Sequence, residues 1–127
     1  MDADSLSEQV IACAFRVHNE LGSGFAEQIY SRALCIELSA AGIPHAAEVV
    51  LVVHFRDQVI GEFRADVLVD RRMLVEIKAV NALIPAHAAQ LLNYMNAARI
   101  GVGLLINFGA SVQIKRRVIS KYQRKSA

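Results

Sequence analysis

Three charged residues, Asp66, Glu76 and Lys78, stand inside the run Arg64-Ala65-Asp66-Val67-Leu68-Val69-Asp70-Arg71-Arg72-Met73-Leu74-Val75-Glu76-Ile77-Lys78. The arms on either side of Asp70-Arg71-Arg72 are rich in Val, Leu, Ile and Met, which reads as a β-hairpin with that segment as its turn. Such arms rarely carry charge without a reason. A three-residue loop sets Val69 opposite Met73, Leu68 opposite Leu74, Val67 opposite Val75, and Asp66 opposite Glu76. Directly facing residues of an antiparallel pair have Cβ atoms roughly 4.5–5.5 Å apart, where like charges destabilise. A bound divalent cation turns that repulsion into a ligand set, because hard cations such as Mg²⁺ take carboxylate oxygens and keep several waters. Lys78 lies two residues beyond Glu76 and projects from the same face of its strand. A slip of one residue would send Asp66 to the other face. The competing reading is an edge hairpin with solvated charges; against it, Val75, Ile77, Ala79 and Val80 suit a strand covered on both faces.

The chain's 127 residues fit one domain able to bury a core. Disorder is excluded for most of it by a composition that is 54% hydrophobic and 20% charged, with mean hydropathy +0.34. The same apolar content suggests a surface for self-association and leaves a homodimer open. No apolar run approaches the ~20 residues of a membrane helix, and the acidic start Met1-Asp2-Ala3-Asp4-Ser5 is unlike a signal peptide, so a cytoplasmic protein without a membrane partner is expected. Cys13 and Cys35 fall in helical patterns without metal-type spacing and read as reduced, buried small hydrophobes. The net charge of +2 hides an asymmetry: residues 1–114 carry eight Lys/Arg against all twelve Asp/Glu, whereas residues 115–127 carry six basic groups and no acid. Lys115, Arg116, Arg117, Lys121, Arg124 and Lys125 form a cluster that attracts polyanions or simply solubilises the C-terminus.

Ser5 and Glu8 resemble a capping box ahead of a first helix over 7–21, carried by Val10, Ile11, Ala14, Val17 and Leu21. Gly22-Ser23-Gly24 breaks it. A second helical pattern runs through Ile29, Ala33, Leu34 and Leu38 to Gly42, with Pro44 beyond. Strands are expected over 48–55, 59–69 and 73–80, giving an antiparallel meander. Pro85 opens a third helix to about Ala98, followed by strands over 102–107 and 112–118. The order ααβββαββ is an α/β sandwich with a mixed β-sheet flanked by helices, a single domain over 1–118 with a basic tail over 119–127.

Two further polar sets accompany the hairpin. Gly24-Phe25-Ala26-Glu27-Gln28-Ile29-Tyr30 opens the second helix, with Glu27 and Tyr30 one turn apart. By itself Glu27 is explained by the positive end of the helix dipole, and Tyr30 by packing with a bonded hydroxyl. In the third helix His87, Gln90 and Tyr94 fall on one stripe that is able to close over the carboxylates. His87 reads as a supporting residue, while Gln90 and Tyr94 suit hydrogen bonds to a phosphate or to the attacking water. His18, His45 and His54 show no metal-type spacing. The chain has no glycine-rich phosphate loop, HExxH, CxxC or GxSxG, which removes the commonest nucleotide, zinc and serine-hydrolase readings.

These residues resemble the PD-(D/E)xK nuclease-like superfamily, and in particular the small bacterial family named for its GxxExxY motif. Gly24-x-x-Glu27-x-x-Tyr30 is that motif, Arg64-Ala65-Asp66 stands where the superfamily has Pro-Asp, and Glu76-Ile77-Lys78 is the E-x-K element. Gln90-Leu91-Leu92-Asn93-Tyr94 resembles the QxxxY motif of RecB-type nucleases. The resemblance runs from about residue 8 to residue 118. Ala65 replaces a proline that shapes backbone and is not a ligand. What the resemblance implies is a restriction-endonuclease-like αβββαβ core and a Mg or Mn site for hydrolysing phosphodiester bonds of DNA or RNA. Asp66, Glu76 and the backbone carbonyl of Ile77 would be the metal ligands, with Glu27 a further acidic contributor. Lys78 would orient or deprotonate the attacking water, and Gln90 and Tyr94 would support it; all six side chains are expected to converge on one cation. The alternatives are a catalytically inactive domain of this fold that binds nucleic acid or a protein, and a self-associating structural domain.

Overall fold

Leu6, Val10, Cys13, Ala14 and Val17 are buried at helical spacing and form the inner face of α1 (Ala3–Leu21) in the computed structural model, which describes residues 2–123. The helix starts earlier than the Ser5 and Glu8 pattern indicates. Asp2 is the N-cap: its Oδ1 accepts the Ser5 N–H at 2.8 Å, so Ser5 supplies the capped amide and is not itself the cap. After the Gly22–Gly24 turn comes α2 (Glu27–Ala40), which buries Tyr30, Leu34 and Leu38.

The chain then enters β1 (His45–Phe55), β2 (Gln58–Val69) and β3 (Met73–Lys78), joined as an antiparallel meander. Helix α3 (Pro85–Ala98) crosses to β4 (Val102–Phe108), which pairs parallel with β3, and β5 (Val112–Val118) returns antiparallel. Spatial order follows chain order, β1-β2-β3-β4-β5, in one mixed sheet. Period-two alternation divides its side chains between two cores. Val67, Val69, Met73, Val75, Ile77, Leu104 and Ile106 pack under α1 and α2, while Leu74 and Leu105 pack under α3 with Leu91 and Met95.

Close contact with α3 depends on Gly103, where an added Cβ would stand 2.5 Å from Met95 Sδ and 3.0 Å from Leu91 Cδ1. Gly103→Ala is therefore expected to overpack this core and lower stability by about 1–3 kcal/mol. Thermal or urea denaturation measures it; an unchanged midpoint would mean that Met95 repacks without strain.

Residues 119–123 continue past β5 as a single 3-10 turn, Ser120–Tyr122, laid against Gly101, whose carbonyl accepts the Ile119 N–H at 2.8 Å. A Cβ at Gly101 would lie 2.6 Å from Gln123 N, so only glycine admits this contact. Arg124 and Lys125 of the expected tail lie outside the described residues. Cys13 is buried, Cys35 is half-buried and both are free thiols. No helix among the described residues is long and apolar enough to cross a membrane.

Candidate active site

The β2–β3 ladder pairs Val69 with Met73, Leu68 with Leu74 and Val67 with Val75, the register expected from a three-residue turn. The next step would set Asp66 against Glu76. There the backbone ladder stops and a side chain replaces it: Asp66 Oδ2 accepts the Ile77 N–H at 2.7 Å. A short bond to a carboxylate is charge-assisted, and it holds Asp66 beside the strand that carries Glu76. Glu76 and Lys78 follow Leu74 on the face that carries α3, and Asp66 follows Leu68 on the same face by alternation.

Glu76 is only 7% exposed, and its Oε1 is fully buried with no hydrogen-bond partner. Burial is the main cause that pushes its carboxyl up to about 8; the charge and side-chain hydrogen bond of Asp66 add to the rise, while the Asp66 backbone N–H and the charge of Lys78 oppose it. A buried acceptor without a partner is costly and rare in folded proteins. Two neighbouring carboxylates are a hard-oxygen pair, and Mg²⁺ is commonly held by one or two carboxylates together with substrate phosphate. The residues therefore fit a divalent cation.

Asn107 completes the surroundings. It faces Lys78 in the β3–β4 register and is fully buried. Its Oδ1 accepts the Val80 N–H at 2.9 Å and its Nδ2 donates to the Val80 carbonyl at 2.9 Å and to Gln113 Oε1 at 3.0 Å. This explains why β3 ends at Lys78 and not at Val80 as its apolar run suggests: a side chain takes over the last rungs. Asn107→Ala leaves Val80 and Gln113 without those partners and is expected to cost about 1–3 kcal/mol, with larger proteolytic sensitivity around residue 80. Denaturation and limited proteolysis would show it.

The remaining expected residues stand on the two helices α2 and α3. Glu27 is the exposed first residue of α2, and among the described residues no group of three or more His, Cys, Asp or Glu is arranged to hold a metal. On α3, His87 Nδ1 accepts the Ile84 N–H at 3.2 Å while its own N–H donates to the Ile84 carbonyl at 3.0 Å, a helix-start bracket. Gln90 is exposed, and Tyr94 is half-buried with its ring stacked on Phe63 of β2 at 4.0 Å. Tyr30 is fully buried; its hydroxyl donates to the Gly22 carbonyl at 2.6 Å and accepts from Phe25 N–H at 3.3 Å, and its ring stacks on Phe108 at 4.5 Å. It is a packing residue, as its burial in a helical pattern suggests. Asn107 and Phe63 were not singled out from sequence. The signal for Asn107 is plain once sought: it is the one polar residue in Val102–Phe108.

The family profile of the PD-(D/E)XK nuclease superfamily matches residues 4–118. The chain belongs to that superfamily. Its mixed five-stranded sheet with flanking helices agrees with the restriction-endonuclease-like fold of PD-(D/E)XK proteins. Two solved structures share the fold at low identity. The crystal structure of SSO0001 is 14% identical with a TM-score of 0.54, over 89% of this chain and 77% of that one. An alkaline exonuclease, LHK-Exo from Laribacter hongkongensis, is 13% identical with a TM-score of 0.55, over 94% of this chain and 72% of that one. Comparison with curated protein sequences gives no significant match.

Proposed function

We propose that this PD-(D/E)XK chain is a divalent-metal-dependent nuclease of the GxxExxY type that hydrolyses phosphodiester bonds of DNA or RNA. The observation that carries the reading is the buried, partnerless Oε1 of Glu76 beside Asp66, with Lys78 on the same face. Asp66, Glu76 and the carbonyl of Ile77 would hold Mg or Mn. A cation there supplies a lowered pKa for bound water and positive charge for the phosphate.

The chain's own groups do the rest. Asp66 is held in place by the Ile77 amide, so its second oxygen has a defined direction. Lys78 orients the attacking water and stabilises the negative charge that builds on the phosphoryl oxygens. Asn107 holds the chain just beyond Lys78 at Val80 and so restricts where the ammonium can go. Gln90 and Tyr94 on α3, and Glu27 at the start of α2, act as outer contacts to substrate or water.

Purified protein incubated with single- and double-stranded DNA and RNA, plus Mg or Mn, tests the reading. Asp66→Asn and Lys78→Met are each expected to slow cleavage by roughly 10²–10³-fold, the range seen when one group that stabilises developing charge is removed. Equal cleavage by wild type and Asp66→Asn would sink the catalytic assignment.

A further inference from the structure

At the far end of β3 from Glu76, the Asp70-Arg71-Arg72 turn, the C-terminus of α3 and the Ser120–Tyr122 turn enclose a cleft of about 750 Å³. That volume is in the range of ligand pockets. Three residues of strand, at about 3.3 Å each, separate Met73 from Glu76, so the cleft begins roughly 10 Å from the carboxylate pair. Its lining includes Arg71, Arg72, Arg99, Tyr122, Asp2 and Asp4.

The charges in this cleft are unequally committed. Asp2 caps α1, Asp4 pairs with Arg116 at 2.9 Å and Arg72 pairs with Asp70 at 3.1 Å. Among the described residues no carboxylate pairs with the exposed side chains of Arg71 or Arg99. Lys121 Nζ lies 5.1 Å from the centroid of the Tyr122 ring and adds positive charge beside the wall.

The backbone decides which replacements the two arginines tolerate. Arg71 has φ 59°, and Arg99, the C-cap of α3, has φ 56° and ψ 44°. These are left-handed conformations in which glycine or asparagine is the least strained choice, and the residue ending a helix in this way is most often glycine. Arginine stands at both places, and both line the same cleft. Guanidinium groups suit phosphate through paired N–H donors, and a tyrosine ring at the wall offers a platform for a base.

We propose that this cleft binds phosphate groups, those of a single-stranded nucleic acid or of a free nucleotide, through Arg71 and Arg99. The site is separate from the carboxylate pair and does not require it to be catalytic. The test compares the full-length wild type with the double variant Arg71→Asn/Arg99→Gly, whose replacements suit positive φ, so its melting midpoint should be equal or higher. Labelled single-stranded DNA and RNA oligonucleotides are titrated by fluorescence anisotropy in chelator, and AMP and ATP by calorimetry.

For at least one probe the double variant should bind about tenfold or more weakly, and for oligonucleotides the slope of log affinity against log salt should shrink by about 1.4, two contacts at 0.7 each. An effect confined to oligonucleotides identifies a nucleic-acid strand as the ligand; one that extends to AMP or ATP identifies a nucleotide site. Equal affinity and equal salt slope for every probe, or no binding of any probe by wild type, overturns the proposal. Cleavage lost in Asp66→Asn but binding unchanged in the double variant leaves the nuclease reading standing and removes only the cleft. Arginine-dependent binding without cleavage does the reverse.

Discussion

Glu76→Gln is expected to end metal-dependent cleavage while making the metal-free protein more stable at alkaline pH. The two effects have one cause. Glu76 is buried beside Asp66 and its carboxyl is pushed up to about 8 from an ordinary 4.5. Between those values the folded protein holds a proton that the unfolded chain has already released, so stability falls as pH rises through the window. Each pKa unit corresponds to about 1.4 kcal/mol, so ionising Glu76 without a cation costs the fold a few kcal/mol. Glutamine keeps the shape, carries no titrating proton and should flatten the profile. Thermal midpoints of both proteins in chelator, from pH 5 to pH 9, make the comparison. Parallel curves would remove the electrostatic argument for this pair.

Adding Mg or Mn to the wild type at pH 8 is expected to raise its melting midpoint markedly, and less at pH 6, because the ligands must be deprotonated. At a concentration of one hundred times Kd the gain is about 2.7 kcal/mol. For a chain of this size that is on the order of 10 °C. Asp66→Ala and Glu76→Ala should each abolish the shift, whereas Gly103→Ala should lower the midpoint with and without metal by the same amount. Calorimetry in buffers of different ionisation enthalpy would detect the proton released on binding. A midpoint indifferent to either cation would leave the carboxylates without a metal to hold.

Much of this architecture was legible because the local signals agree with the tertiary outcome. The turn Asp70-Arg71-Arg72 and period-two alternation specify the register of Val67 through Val75, since a one-residue slip would turn every apolar side chain outward. Pro85 and the αL residue at Arg99 bracket α3 over Pro85–Ala98, close to the span its punctuation indicates. What was not legible depends on which way a stripe faces once packed. Helical spacing groups His87, Gln90 and Tyr94, but it does not say that Tyr94 stacks on Phe63 or that His87 brackets its own helix start. The ends of elements were misjudged where a side chain substitutes for backbone, at Asp2 on α1 and at Asn107 beyond Lys78. Such substitutions leave no periodic trace. Glu27, which the resemblance adds to the carboxylates, is exposed at the head of α2.

The Gly24-x-x-Glu27-x-x-Tyr30 signature acquires a different meaning from the bonds of Tyr30. Its hydroxyl ties the Gly22 carbonyl to the Phe25 amide, its ring lies on Phe108, and Gly24 at φ +104° lets the chain turn into α2. Two of the three named positions thus describe how one helix hands over to the next. A chain that kept all three named positions while losing Asp66 and Glu76 would still match the pattern. At these two positions the signature describes a corner of the scaffold, so the proposed chemistry is better sought in the carboxylate pair and the lysine two residues beyond Glu76.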